Sequence, residues 1–217
     1  MCRLQQHEDI APQRTLTVKD TALAKFVILE LYTTERSYHR LLSMIQTKYA
    51  EPMEAASKIK NPLIKPSDLP ALFRHLPDMI ALSEKILAHF EPNHLWRDMR
   101  PMHVGHIFRQ LEHDLVTFLR YATHYQTHMK AIRRACNSVL VLKIEQESLR
   151  RHETNRMGIA DYLIAPFQRV PRYCLLIKDL LKHTSPSDAQ YEDLDIARKM
   201  LTGLAVAMDS CTKVSPS

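Results

Sequence analysis

The side chains in this chain best placed to recognise another molecule sit close together. Residues 163 to 184 read LIAPFQRVPRYCLLIKDLLKHT. Two prolines, Pro166 and Pro171, bracket Gln168 and Arg169, and Arg172 follows at once. Gln168 and Arg172 are four residues apart and share one face of a helix. An amide and a guanidinium displayed side by side suit the backbone and carboxylates of another protein. Neither Arg169 nor Arg172 has an acid at helical spacing on its own segment, so their partners must come from elsewhere. For Arg169 an acid on a neighbouring helix is expected. Pro171 lacks an N–H and clashes with the carbonyl of residue 167, so a bend is expected there. Tyr173, Leu176, Ile177, Leu180 and Leu181 continue as a core stripe.

Other chemistries fare worse. Twelve histidines raise the question of metal, and His124/His128 and His103/His106 have helical spacing. No Glu or Cys completes an H-E-x-x-H set of ligands, so no metal site is expected and solvated helix faces are the better reading. Glu145 and Glu147 lie on a charged helix surface. No G-x-S-x-G nucleophile motif occurs. Glycine occurs only at 105, 158 and 203, which rules out a G-x-G-x-x-G or Walker A cradle for nucleotide phosphates. The four cysteines form no C-x-x-C pair and read as reduced, buried thiols. Covalent chemistry and cofactors are therefore not expected, and a protein-binding surface is.

The elements that must carry this surface are helices. The chain has 217 residues, 45% apolar and 25% charged, enough for one domain with its own core. Residues 1–16 read as a loose lead-in without the apolar run of a signal peptide. Thr17 with Asp20 resembles a capping box. Leu23, Val27, Leu31, Thr34, Tyr38, Leu41, Leu42, Ile45 and Tyr49 then mark one long amphipathic helix, which Pro52 should end or bend. Ser67 is a plausible N-cap for a second helix that reaches Phe90, with a kink at Pro77. A third pattern runs from Ile107 to Ile132 and a fourth from Cys136 to Arg151. The stretch quoted above should be helical from about Ile159 to His183, and a last helix from about Asp188 to Cys211. No alternating strand of useful length appears. The fold class is all-α, an elongated bundle of long helices. No run of 18 apolar residues occurs. The net charge of +6 permits attraction to an acidic protein face or an anionic membrane without demanding nucleic acid.

Residues 163–184 resemble the third conserved region of the Dbl-homology (DH) domain, the exchange module of guanine-nucleotide exchange factors for Rho-family GTPases. LELYTTERSYHRLL, residues 29–42, is similar to the first conserved region, with its T-E-R-x-Y core. The two segments fall in the family's order, and the resemblance covers about residues 18 to 213. It implies an exchange domain over 17–213 and a tail at 214–217. The pleckstrin-homology module that usually follows in the family is not expected within these 217 residues. The partner would be a Rho-family GTPase, preferred in its nucleotide-free form, with no nucleic acid and no cofactor. The place of action would be cytoplasmic, with recruitment to the cell cortex or plasma membrane through flanking domains.

The resemblance also assigns roles. Glu35, the acid of T-E-R-x-Y, would reach switch I from an exposed edge beside the core stripe. Gln168 and Arg172 would fix the GTPase's register. Ile164, and Met157 two turns earlier, lie where the family selects among GTPases. Arg156 and Arg172 add positive charge there, favouring a partner with acids on that face. Aligning Leu201, Leu204 and Met208 with the family's last helix puts Asp209 where an Asn usually meets switch II; an Asp cannot donate as an amide does. Two other readings stand beside exchange: an exchange-inactive helical adaptor, supported by Asp209, and a basic bundle binding anionic membrane or nucleic acid, supported by the net charge.

Overall fold

The computed structural model describes residues 17–60, 62, 64–90, 101–150, 157–188 and 191–213. All regular structure among them is helical. Helix α1 spans Val18–Ile45 and begins as its sequence predicts. The Asp20 N–H donates to Thr17 Oγ1 at 3.2 Å, and the Thr17 N–H donates back to the Asp20 carboxylate at 3.0 Å. Pro52 does not end the helix. A π-helical turn at Gln46–Ala50 precedes it, and the chain continues as α2, Glu51–Ser57. The wider turn contains Lys48, whose carbonyl a proline four residues on could not bond.

Prolines start the next helices rather than kinking one. Pro66 opens a 3-10 turn, Pro66–Asp68, with Ser67 inside it instead of capping. Pro70 and Pro77 fall in the first turns of α3 (Leu69–Phe73) and α4 (Leu76–Ala88), where the missing N–H costs nothing. The third apolar pattern divides into α5 (Pro101–Gln110), α6 (Glu112–Thr127) and α7 (Met129–Cys136). Leu111 still donates to the Ile107 carbonyl at 3.1 Å, and His128 to that of His124 at 3.0 Å, so the hydrogen-bond register passes through both breaks. Helix α8 spans Val139–Arg150, α9 Ile159–Lys182 and α10 Tyr191–Lys213. Both Pro166 and Pro171 lie inside α9, which runs through them unbroken.

One core joins these elements. Helix α9 packs between α1 and α10, α10 also packs on α5 and α6, and α1 on α4. The Glu30–Arg172 ion pair and the Asp20–His183 contact show that α1 and α9 run antiparallel. Helices α5 and α10 meet with no room to spare: a Cβ on Gly105 would fall 2.7 Å from the Leu194 nitrogen and 2.8 Å from the Asp193 carbonyl carbon. An Arg109–Asp193 ion pair closes the same contact. Among the described residues no helix is long and apolar enough to cross a membrane.

Candidate functional site

Helix α9 carries two interleaved pairs. Arg169 and Tyr173 are four residues apart, as are Gln168 and Arg172, and the second pair is offset from the first by one residue. One residue of helix is about 100° of rotation, so the pairs point different ways. Gln168 and Arg172 are exposed, whereas Arg169 and Tyr173 are buried at 6% and 0% exposure.

The buried pair meets Glu35. That carboxylate has no exposure at all. Arg169 donates to Glu35 Oε2 through Nε at 3.0 Å and Nη2 at 2.5 Å, and the Tyr173 hydroxyl donates to the same oxygen at 2.6 Å. The Ser83 hydroxyl of α4 donates to Oε1. The guanidinium lies 4.5 Å from the Tyr173 ring centroid and 5.7 Å from that of Tyr38. Burial opposes the charge on Arg169, but Tyr173 and Glu35 outweigh it and hold its pKa above the ordinary range. Burial and then Glu35 raise the Tyr173 pKa, so its phenol stays a donor. The predicted acid for Arg169 is present.

The exposed edge expected for Glu35 is not. The buried positions of α1 step through Leu31, Glu35, Tyr38 and Leu42, so Glu35 occupies the core position that periodicity gave to Thr34. Thr34 instead bonds its own helix, donating to the Glu30 carbonyl at 2.7 Å. Nor does Glu35 pair with His39, which faces Glu84 at 3.5 Å.

The acid at the surface is Glu30, which sequence reasoning missed. Its side chain and that of Arg172 are each 44% exposed, and the two form an ion pair across the α1–α9 seam. The available signal was Arg172's lack of a local acid. It pointed to a partner but not to which one, because the two residues are 142 positions apart.

On the other flank of α9, Ile164 is 51% exposed. It shares an apolar groove of about 620 Å³ with Leu163, Phe167, Pro171, Met208 and Asp209, among others, between α9 and α10. Asp209 is exposed and pairs with Lys213 one turn on. Thus Glu30, Arg172, Gln168, Ile164 and Asp209 lie on α9 and its two flanking helices. Met157 does not join this ridge. It precedes the Gly158 N-cap of α9, is partly buried, and accepts a bond from Ser148 through its carbonyl at 3.1 Å. Arg156 lies outside the described residues.

The histidine pairs form no ligand set. His124 is buried with Nε2 3.1 Å from the Ala71 carbonyl, and its ring stacks on His128 at 4.1 Å. Among the described residues, no three His, Cys, Asp or Glu side chains group as a metal site.

The model of the RhoGEF domain matches residues 27–209, nearly all of the helical body. The chain belongs to the RhoGEF-domain family. Relatives of this RhoGEF domain include "Guanine exchange factor for Rac 30" of Dictyostelium discoideum, 28% identical over 181 residues. That match covers 82% of this chain and 10% of the relative. Human "Protein ECT2" is 28% identical over 177 residues, covering 79% of this chain and 19% of the relative. The chain therefore spans a tenth to a fifth of these relatives' length. Among solved structures, the DH/PH domains of PDZ-RhoGEF in complex with activated RhoA superpose with a TM-score of 0.75 at 18% identity, over 91% of this chain and 56% of that one. A Vav1 exchange-factor structure gives 0.71 at 20% identity, over 89% and 50%. These likenesses establish the fold of the RhoGEF domain as that of DH domains.

Proposed function

We propose that this RhoGEF domain binds the switch regions of a Rho-family small GTPase, promotes GDP release and so allows GTP to load. The observation that carries the reading is the exposed ridge of α9. There Gln168 and Arg172 stand beside Glu30 on one flank and the Ile164–Asp209 groove on the other. The Rac exchange factor among the relatives above, and the RhoA bound in one structural neighbour, support a Rho-family partner.

No bond need be made or broken in the protein. A GTPase holds nucleotide and Mg²⁺ with switch loops that have two arrangements. A surface that binds the nucleotide-free arrangement more tightly shifts the population toward release. Glu30 is the acid that can reach switch I, since Glu35 is sealed in the core. Its pair with Arg172 costs little to exchange for partner contacts, because exposed ion pairs are worth only about 0.2–1 kcal/mol. Gln168 adds an amide that both donates and accepts. Ile164 and the groove receive apolar side chains, and Asp209 offers an acceptor to switch II. A Rho-family partner would suit action in the cytoplasm, at the cortex or plasma membrane.

Release of a fluorescent GDP from a panel of Rho-family GTPases tests the reading. Acceleration that is lost in Arg172→Ala is the expected result. Tight binding without release would make the chain an adaptor, with Asp209 as the departure responsible. No binding to any member would overturn the proposal.

A further inference from the structure

A recognition helix that seals a charged carboxylate directly beneath its working face calls for a physical reason. Stability alone is a poor one. A buried ion pair replaced by well-packed apolar residues is often no less stable, because desolvation of the two charges offsets their attraction. What such a pair does supply is direction, since its hydrogen bonds form at one rotation of the helix and at no other.

Direction is what α9 lacks at this point. Pro166 and Pro171 have no N–H, so the carbonyls of Tyr162 and Phe167 lose their donors four residues on. Two rungs are missing within one short stretch, and Gln168 lies between them with Arg172 just after. The backbone therefore has fewer hydrogen bonds to hold it where the exposed pair is mounted. The buried cluster falls on the same stretch. Arg169 lies between the prolines and Tyr173 two residues beyond the second. Through Glu35 they are tied to α1, and through Ser83 to α4. Arg169 and Tyr173 follow Gln168 and Arg172 by one residue each, so fixing the inner pair fixes the outer one.

We propose that Glu35 is a positioning residue for exchange. Its carboxylate holds α9 at the rotation that presents Gln168 and Arg172, substituting for the backbone bonds the two prolines remove. The role rests on the reading that this exposed face engages the GTPase. Glu35 touches no partner itself. It acts through Arg169 and Tyr173.

The test is a double-mutant cycle on the folded protein, well below its melting temperature. Glu35→Gln keeps the side chain's shape and removes its charge. Tyr173→Phe deletes one donor and serves if Glu35→Gln does not fold. Each is combined with Arg172→Ala, and GDP release is measured per folded molecule. Misplacing a positioned group by about 1 Å can cost on the order of a hundredfold, so a loss of at least about tenfold is expected in the Arg172 background. In the Arg172→Ala background the same substitution should cost clearly less, because half of the face it aims, the Arg172 guanidinium, is already gone. Amide hydrogen exchange at residues 167–170 and 172 should also quicken in the single variants. Equal losses in both backgrounds, or a folded Glu35→Gln with unchanged exchange, would overturn the role. If Arg172→Ala alone had no effect, the exposed face would not be the recognition surface, and both readings would fall at that step.

Discussion

At the scale of the residue, Glu30 and Glu35 should behave as opposites. Glu35→Ala leaves the Arg169 charge buried at 6% exposure without its acid. Breaking a buried pair this way costs roughly 3–5 kcal/mol, which a urea titration would show as a large drop in midpoint. Glu30→Ala should shift the same midpoint by no more than about 0.5 kcal/mol, because its side chain is half exposed. Its exchange rate should nevertheless fall by about thirtyfold, the scale of a 2 kcal/mol contact at the centre of an interface. A Glu30→Ala protein that exchanges at full rate would remove Glu30 from the site. The two acids also mark the limit of what the sequence discloses. Arg169's need for a distant acid was legible, because its own helix offers none at helical spacing. Which glutamate would be buried was not. Thr34 and Glu35 are neighbours, both lie near the apolar stripe, and residue type favours the threonine inside. The choice is made by Tyr173, Arg169 and Ser83, which converge from two other helices.

At the scale of the element, the span of α9 and the Thr17–Asp20 cap follow from apolar spacing and local hydrogen-bond chemistry, so both were visible in sequence. The breaks at Leu111 and His128 were not, since the stripe and the hydrogen-bond register run through them. Prolines were misread for a related reason. Pro52 and Pro77 interrupt a helix only when they fall in its interior, and here a first turn and a π-helical turn accommodate them. Pro171 is the interior case. Pro171→Ala restores a donor for the Phe167 carbonyl, and interior proline costs up to about 3 kcal/mol. The melting temperature should hold or rise, while GDP release slows because Pro171 also lines the α9–α10 groove. A clear fall in melting temperature would show that the proline itself supports the native helix. Gly105→Ala probes the other flank. The added methyl meets the backbone of α10 and cannot be relieved by turning a side chain. Overpacking of this kind costs about 1–3 kcal/mol and should appear as a lower melting temperature.

At the scale of the whole molecule, the junctions that divide the helices carry histidines. His75 occupies the N-cap position of α4 without a side-chain capping bond, and His124 precedes the α6–α7 break, with their rings 5.0 Å apart. Burial lowers the pKa of both, and His124 lowers that of His75 further. For His124 the bond to the Ala71 carbonyl works in the opposite direction without reversing the shift. Because the folded values are depressed, the unfolded chain binds more protons once pH falls below about 6.5. Stability should be fully present above that value and decline through the window beneath it, before most carboxylates titrate. Melting temperatures between pH 8 and 5 would show this, and His75→Gln should shrink the decline. A flat profile down to pH 5 would exclude it. The pairing of α1 with α9 has a consequence for how the protein is made. Glu35 and Arg169 are separated by 134 residues. Synthesis adds roughly 5–20 residues per second, so the acid waits on the order of ten seconds for its base to be made. Throughout that interval the first helix exists without the partner that lets its carboxylate be buried. A message cut short before α9 thus yields a helix that cannot complete its packing, and such a product would be met by chaperones and proteases before it met any GTPase.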